Sequence, residues 1–142
     1  MSVRVQLSAA LQAQLLAEGL NPKILVSRFS EWKTGDEYGS YFFGKDGLGL
    51  FTQVLRHVHL VPLNDLHALR KWNTAWRRSP PGRKTSDRYL FYCDGGRFGY
   101  LLIAIIGDPG AHEFLRTPDT RDLLDSIEVH AQEFVDSGTI SI

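Results

Sequence analysis

The 142-residue sequence has one cysteine, Cys93, which excludes an internal disulfide and any multi-cysteine metal cage. A lone thiol fits a reducing compartment. The longest apolar run, YLLIAII at 100–106, falls far short of the roughly 20 residues that a membrane-spanning helix needs. The opening stretch, MSVRVQLSAALQAQLL, lacks the charged, apolar and small-residue sections of a signal peptide, so the expectation is a cytoplasmic protein without a membrane partner. There is no Walker loop, dinucleotide fingerprint or nucleophile elbow, and GDPG at 107–110 reads as a turn. No internal repeat or low-complexity segment breaks the chain, and 142 residues suit one domain spanning 1–142.

Net charge is also missing, but only as an average. Residues 67–88 carry seven basic side chains (Arg70, Lys71, Arg77, Arg78, Arg83, Lys84 and Arg88) against one acid, Asp87. From residue 107 onward eight acids face two arginines. The asymmetry suits a polyanionic partner for the basic middle, or equally a solvated charged loop.

The pattern of apolar residues gives an order of elements. VRVQL alternates like a short strand, and residues 8–20 look helical. Asn21-Pro22 is an N-cap and first-turn proline for a second helix running to about Lys33, which Gly35 ends. Five glycines between 35 and 50 predict a loop. VLRHVHLVPL alternates, DRYLFYC is aromatic and apolar, and YLLIAII has the continuous character of a strand covered on both faces. DGGRFG between the last two predicts a hairpin. Residues 66–76 predict a short helix within the long basic connection. Thr117-Pro118-Asp119 opens a final helix whose stripe is Leu123, Leu124, Ile127, Ala131, Phe134 and Val135, with Gly138 as its stop. The expected fold class is α+β: a small antiparallel β-sheet with two N-terminal helices and a C-terminal helix packed on one face.

Chemistry concentrates in HVHLVPL at 57–63. On a strand, His57 and His59 share one face while Val58 and Leu60 take the other. That face is either the solvent side of a half-buried sheet or the floor of a site. The other candidates are the basic connection ending in RKTSD and His112, just beyond the strongest strand. His57, His59 and His112 could also form a three-histidine zinc site. Trp72 and Trp76, four apart among basic residues, suit either base stacking or packing.

The succession FFGKD (42–46), HVHLVP (57–62), KTSDRYLFYC (84–93), YLLIAII (100–106) and His112 resembles the YafO-type toxins of type II toxin–antitoxin systems over roughly residues 24–134. The resemblance implies a RelE-like fold and an mRNA interferase that cuts messenger RNA in dependence on the translating ribosome, restrained by a cognate antitoxin. The related YafQ-type toxins share a pattern that His59, Asp87 and His112 match, although the connection at 64–86 is longer here. A metal-free ribonuclease needs a base for the 2′-hydroxyl, an acid for the leaving 5′-oxygen and positive charge on the phosphate. Histidine suits both proton transfers at neutral pH, and arginine suits the phosphate. The expected acid–base pair is therefore His59 and His112 in either order, with Asp87 orienting or tuning one of them. His57, Arg77, Arg78, Arg83, Lys84 and Arg88 are the expected RNA contacts, and no cofactor is required. The competing reading is an RNA- or ribosome-binding module that never cuts.

Overall fold

The computed structural model of the protein describes residues 3–35, 40–48, 54–63, 65–78, 84–107 and 118–142, with the side chains of 48 and 118–120 excepted. In chain order the elements are β1 (Val5–Leu7), α1 (Ala9–Ala17), α2 (Pro22–Thr34), β2 (Phe43–Leu48), β3 (Arg56–Leu60), α3 (Leu66–Arg78), β4 (Tyr89–Asp94), a 3-10 turn (Gly96–Phe98), β5 (Tyr100–Ile106) and α4 (Pro118–Ser137). The five strands form one sheet in the order β1-β5-β4-β3-β2. All neighbours pair antiparallel except β1, which runs parallel to β5 at the edge. The α+β class holds, and the sheet is antiparallel with that one parallel edge.

Local chemistry accounts for the helix starts. The Ser8 hydroxyl accepts the Leu11 N–H at 3.0 Å, capping α1, and donates to the Ile103 carbonyl at 2.7 Å, which pins the cap to the sheet. The Asn21 side chain accepts from the Lys23 N–H at 3.0 Å with Pro22 in the first turn of α2. Gly138 takes the left-handed φ of 76° that ends α4, and its N–H reaches the Phe134 carbonyl at 2.7 Å.

Helices cover both faces of the sheet rather than one. Val58, Leu60, Leu90, Tyr92 and Leu102 pack with Leu11 and Leu15 of α1 and Phe29 and Trp32 of α2. Tyr89, Phe91, Cys93, Leu101 and Ile103 pack with Leu124, Ile127, Ala131 and Phe134 of α4. The reason lies in β4 and β5, whose successive residues are apolar, so each face of the central strands needs a cover.

The glycine-rich stretch expected as loop contributes a strand. β2 pairs with β3 through a register shift between Phe43 and Asp46. Gly44 sits where a Cβ would lie 2.1 Å from the Lys84 carbonyl oxygen and 2.9 Å from the Trp72 ring. This glycine therefore marks close backbone approach, with the Lys45 N–H donating to Lys84 at 2.8 Å. α3 extends to Arg78, two residues beyond the expected helix, and is anchored by fully buried Trp72, whose indole N–H donates to the Tyr41 carbonyl at 2.7 Å. No described helix is long and apolar enough to cross a membrane.

Candidate active site

The register of β3 against β4 places His59 opposite Tyr89 and His57 opposite Phe91. Because Val58 and Leu60 face α2, the two imidazoles share the opposite face, the one on which α4 covers β4 and β5. Their rings form a cluster: His59–Tyr89 centroids are 4.5 Å apart, His57–Tyr89 5.4 Å and His57–His59 6.2 Å. His59 is 7% exposed, while His57 is half-buried.

Residue 86 fixes the His59 ring. The Ser86 N–H donates to His59 Nδ1 at 2.9 Å, and the Ser86 carbonyl oxygen lies 3.0 Å from the same nitrogen. With Nδ1 accepting, the ring proton sits on Nε2. With Nδ1 protonated, the carbonyl takes that hydrogen, and the imidazole exchanges its second proton at Nε2. Ser86 is itself held, its hydroxyl donating to the Leu60 carbonyl at 2.6 Å and accepting from the Arg88 N–H at 3.2 Å. No side-chain signal in KTSD marks this serine, because its contacts with the imidazole are made by its backbone N–H and carbonyl.

Burial lowers the pKa of His57, reinforced by the Lys45 charge and opposed by Asp46, so its imidazole stays neutral to a lower pH than usual. The Tyr89 phenol moves up, first through burial and then through the negative charge of Asp87. Asp87 therefore lies within electrostatic reach of the ring that packs on His59. Burial raises the thiol of Cys93 to about 12, and with no exposed surface it is no nucleophile.

The basic residues divide. Arg77 and Arg78 are exposed at the end of α3, on a helix whose other basic side chains, Arg70 and Lys71, are exposed too and which contains no acid. Lys84, expected at the RNA surface, is instead 3% exposed: its ammonium donates to the Ser40 carbonyl and lies 5.1 Å from the Trp72 ring centroid, and burial lowers its pKa. Arg88 is 8% exposed and lies among α2-face residues, its Nη1 3.4 Å from the Val61 carbonyl, on the side of the sheet away from His59. The alternation of side chains entering β4 separates it from its neighbours Asp87 and Tyr89. His112 and Arg83 lie outside the described residues, as do most of GDPG and Thr117.

A second polar cluster, which sequence reasoning missed, occupies the α2 face. Asp46 accepts from the Tyr92 hydroxyl at 2.7 Å and from Arg56 Nη2 at 3.2 Å, and Lys33 Nζ stands 3.8 Å from the same carboxylate. Arg56 Nε also donates to the Tyr92 hydroxyl at 3.2 Å. The cluster ties β2, β3, β4 and α2 together. Burial and then Asp46 raise the Tyr92 pKa. Among the described residues no group of three histidine, cysteine or carboxylate side chains is placed to hold a metal ion.

The fold and this site define a small α+β protein whose one sheet face is aromatic core and whose other bears a peptide-held histidine. The family described as toxin YafO of a type II toxin–antitoxin system matches residues 30–136, and the chain belongs to that family. No curated protein and no solved structure matches it significantly. Membership makes the protein a type II toxin and implies a cognate antitoxin.

Proposed function

We propose that this toxin is a ribosome-dependent endoribonuclease, a single cytoplasmic RelE-like domain that cuts mRNA by metal-free acid–base catalysis and so halts translation. The observation that carries the reading is the His59 imidazole held at Nδ1 by the Ser86 peptide, with His57 and Tyr89 packed beside it. Such a ring is held in a fixed direction and has a partner for Nδ1 whether or not it carries a proton. In this mechanism His59 and His112 share the two proton transfers, from the 2′-hydroxyl and to the departing 5′-oxygen. Asp87 tunes the aromatic and imidazole cluster through its charge. His57, neutral at pH 7 through burial, contacts the RNA as a hydrogen-bonding group. Arg77, Arg78 and Arg83 bind phosphates. Lys84 serves the frame by anchoring the Trp72 region, and Arg88 lines the α2 face away from the proposed RNA surface.

The test is cleavage of mRNA on programmed ribosomes with mapping of the new ends. Attack by the 2′-hydroxyl leaves a cyclic phosphate at the new 3′ end. Each lost proton transfer should cost about 10²–10⁴-fold, so His59→Ala is expected to reduce cutting by that factor with the fold intact. Undiminished cutting in both the His59→Ala and His112→Ala proteins would remove the assignment. A non-cutting RNA-binding module is the second reading, favoured by the acid-free basic helix α3. It predicts ribosome binding without new ends.

A further inference from the structure

On the sheet face away from the histidines, a cavity of about 200 Å³ opens between α2, the start of β2 and the segment that follows β3. Leu25, Phe42 and Leu60 supply apolar walls. Ile24 and Leu63 line it while remaining 49% and 48% exposed, so two large aliphatic side chains stand in water beside the opening. Two guanidinium groups line it as well: Arg28, stacked 3.8 Å from the Phe42 ring centroid, and Arg88. Among the described residues no carboxylate lines it.

Size decides what such a cavity takes. Small-molecule sites run to about 300–1,000 Å³, and this one holds a single large side chain. Charge decides the rest, because an apolar side chain entering here brings its flanking residues against two arginines. The groove beside β1 also combines apolar residues with two cations, Arg4 and Lys23, but it includes a carboxylate, Glu31. The outer groove of α4 is lined by Asp125, Glu128, Glu133 and Asp136, and that of α3 by polar and basic residues with Ala75.

We propose that this groove docks the cognate antitoxin through an acidic amphipathic segment, one aliphatic or aromatic side chain filling the cavity and carboxylates beside it pairing with Arg28 and Arg88. The proposal rests on the toxin reading. It also places the antitoxin against the segment that holds His59, since Arg88 is two residues from Ser86 and its main chain bonds both Leu60 and Ser86.

The experiment uses the full chain carrying His59→Ala. The probe is the purified protein encoded beside this chain that co-purifies with it on joint expression. Affinity is measured by calorimetry for Arg28→Glu, Ile24→Asp and Leu63→Glu, each checked for an unchanged far-ultraviolet circular dichroism spectrum. The first two are expected to weaken binding about tenfold or more. Leu63→Glu is the reserve should either fail to fold. Val129→Asp, on the exposed face of α4, should stay within about twofold. Unchanged affinity in the groove variants, or the absence of any such binding protein, overturns the proposal. So does a dimer of the chain alone that Ile24→Asp dissociates, which would assign the groove to a second copy. A wild-type chain that fails to cut mRNA would remove the nuclease reading and leave these affinities measurable. Unaffected affinities would remove the groove and leave cutting untouched.

Discussion

The two faces of β3 differ in what their polar groups do. Towards α2, Val58 and Leu60 enter an aromatic core in which Phe29 makes edge contacts with Trp32, Phe43, Tyr92 and Tyr100. One polar cluster on that face is matched within itself, Asp46 with Tyr92, Arg56 and Lys33. On the opposite face Nδ1 of His59 meets a backbone peptide whose donor and acceptor offer a partner to each of its protonation states. A matched set of charges holds a structure in one state, whereas a peptide-held imidazole permits two. The same strand thus adds to the aromatic core through one side and, in the function proposed above, supplies a proton-transfer group through the other.

Substitutions can separate these roles. The largest effect expected is on activity: His59→Ala lowers cutting of ribosome-bound mRNA by about 10²–10⁴-fold while the melting transition stays cooperative. Phe29→Ala, on the core side, should cost about 3–5 kcal/mol of stability in chemical denaturation, because the removed ring is fully buried among four others. Asp46→Asn keeps the shape but removes the charge that Arg56 and Lys33 face, at a cost of about 1–2 kcal/mol, moderated by the partial exposure of Arg56.

The smallest effect is a pH dependence from His57. Its folded pKa lies below the ordinary 6.5, so as pH falls through that value the unfolded chain takes up a proton that the folded chain refuses. Stability is therefore full above about pH 6.5 and declines below it until the folded pKa is reached. His57→Gln should flatten this part of the stability curve relative to wild type between pH 7 and 5.5, as read from denaturant midpoints. An identical slope in both proteins would show that carboxylates alone set it.

Much of the frame was legible because it follows from local signals. Asn21-Pro22 caps a helix, DGGRFG turns a hairpin, and YLLIAII is continuous because it is covered on both sides. The same continuity already required helices on both faces, a consequence the sequence reading did not follow through. β2 was hidden because a glycine in sequence marks either a turn or a close approach, and Gly44 is the second, set by a backbone carbonyl 40 residues away. In the candidate site, the shared face of His57 and His59 follows from alternation alone. The direction of a charge does not. RKTSDR reads as one basic cluster, yet Lys84 turns inward to Ser40 and Trp72, and Arg88 takes the face opposite Tyr89. Ser86 was invisible as a positioning residue because its main chain, not its side chain, meets the imidazole.

That contact has a corollary. A single peptide that places its N–H 2.9 Å and its C=O 3.0 Å from Nδ1 has a bonding partner for that nitrogen with or without its hydrogen.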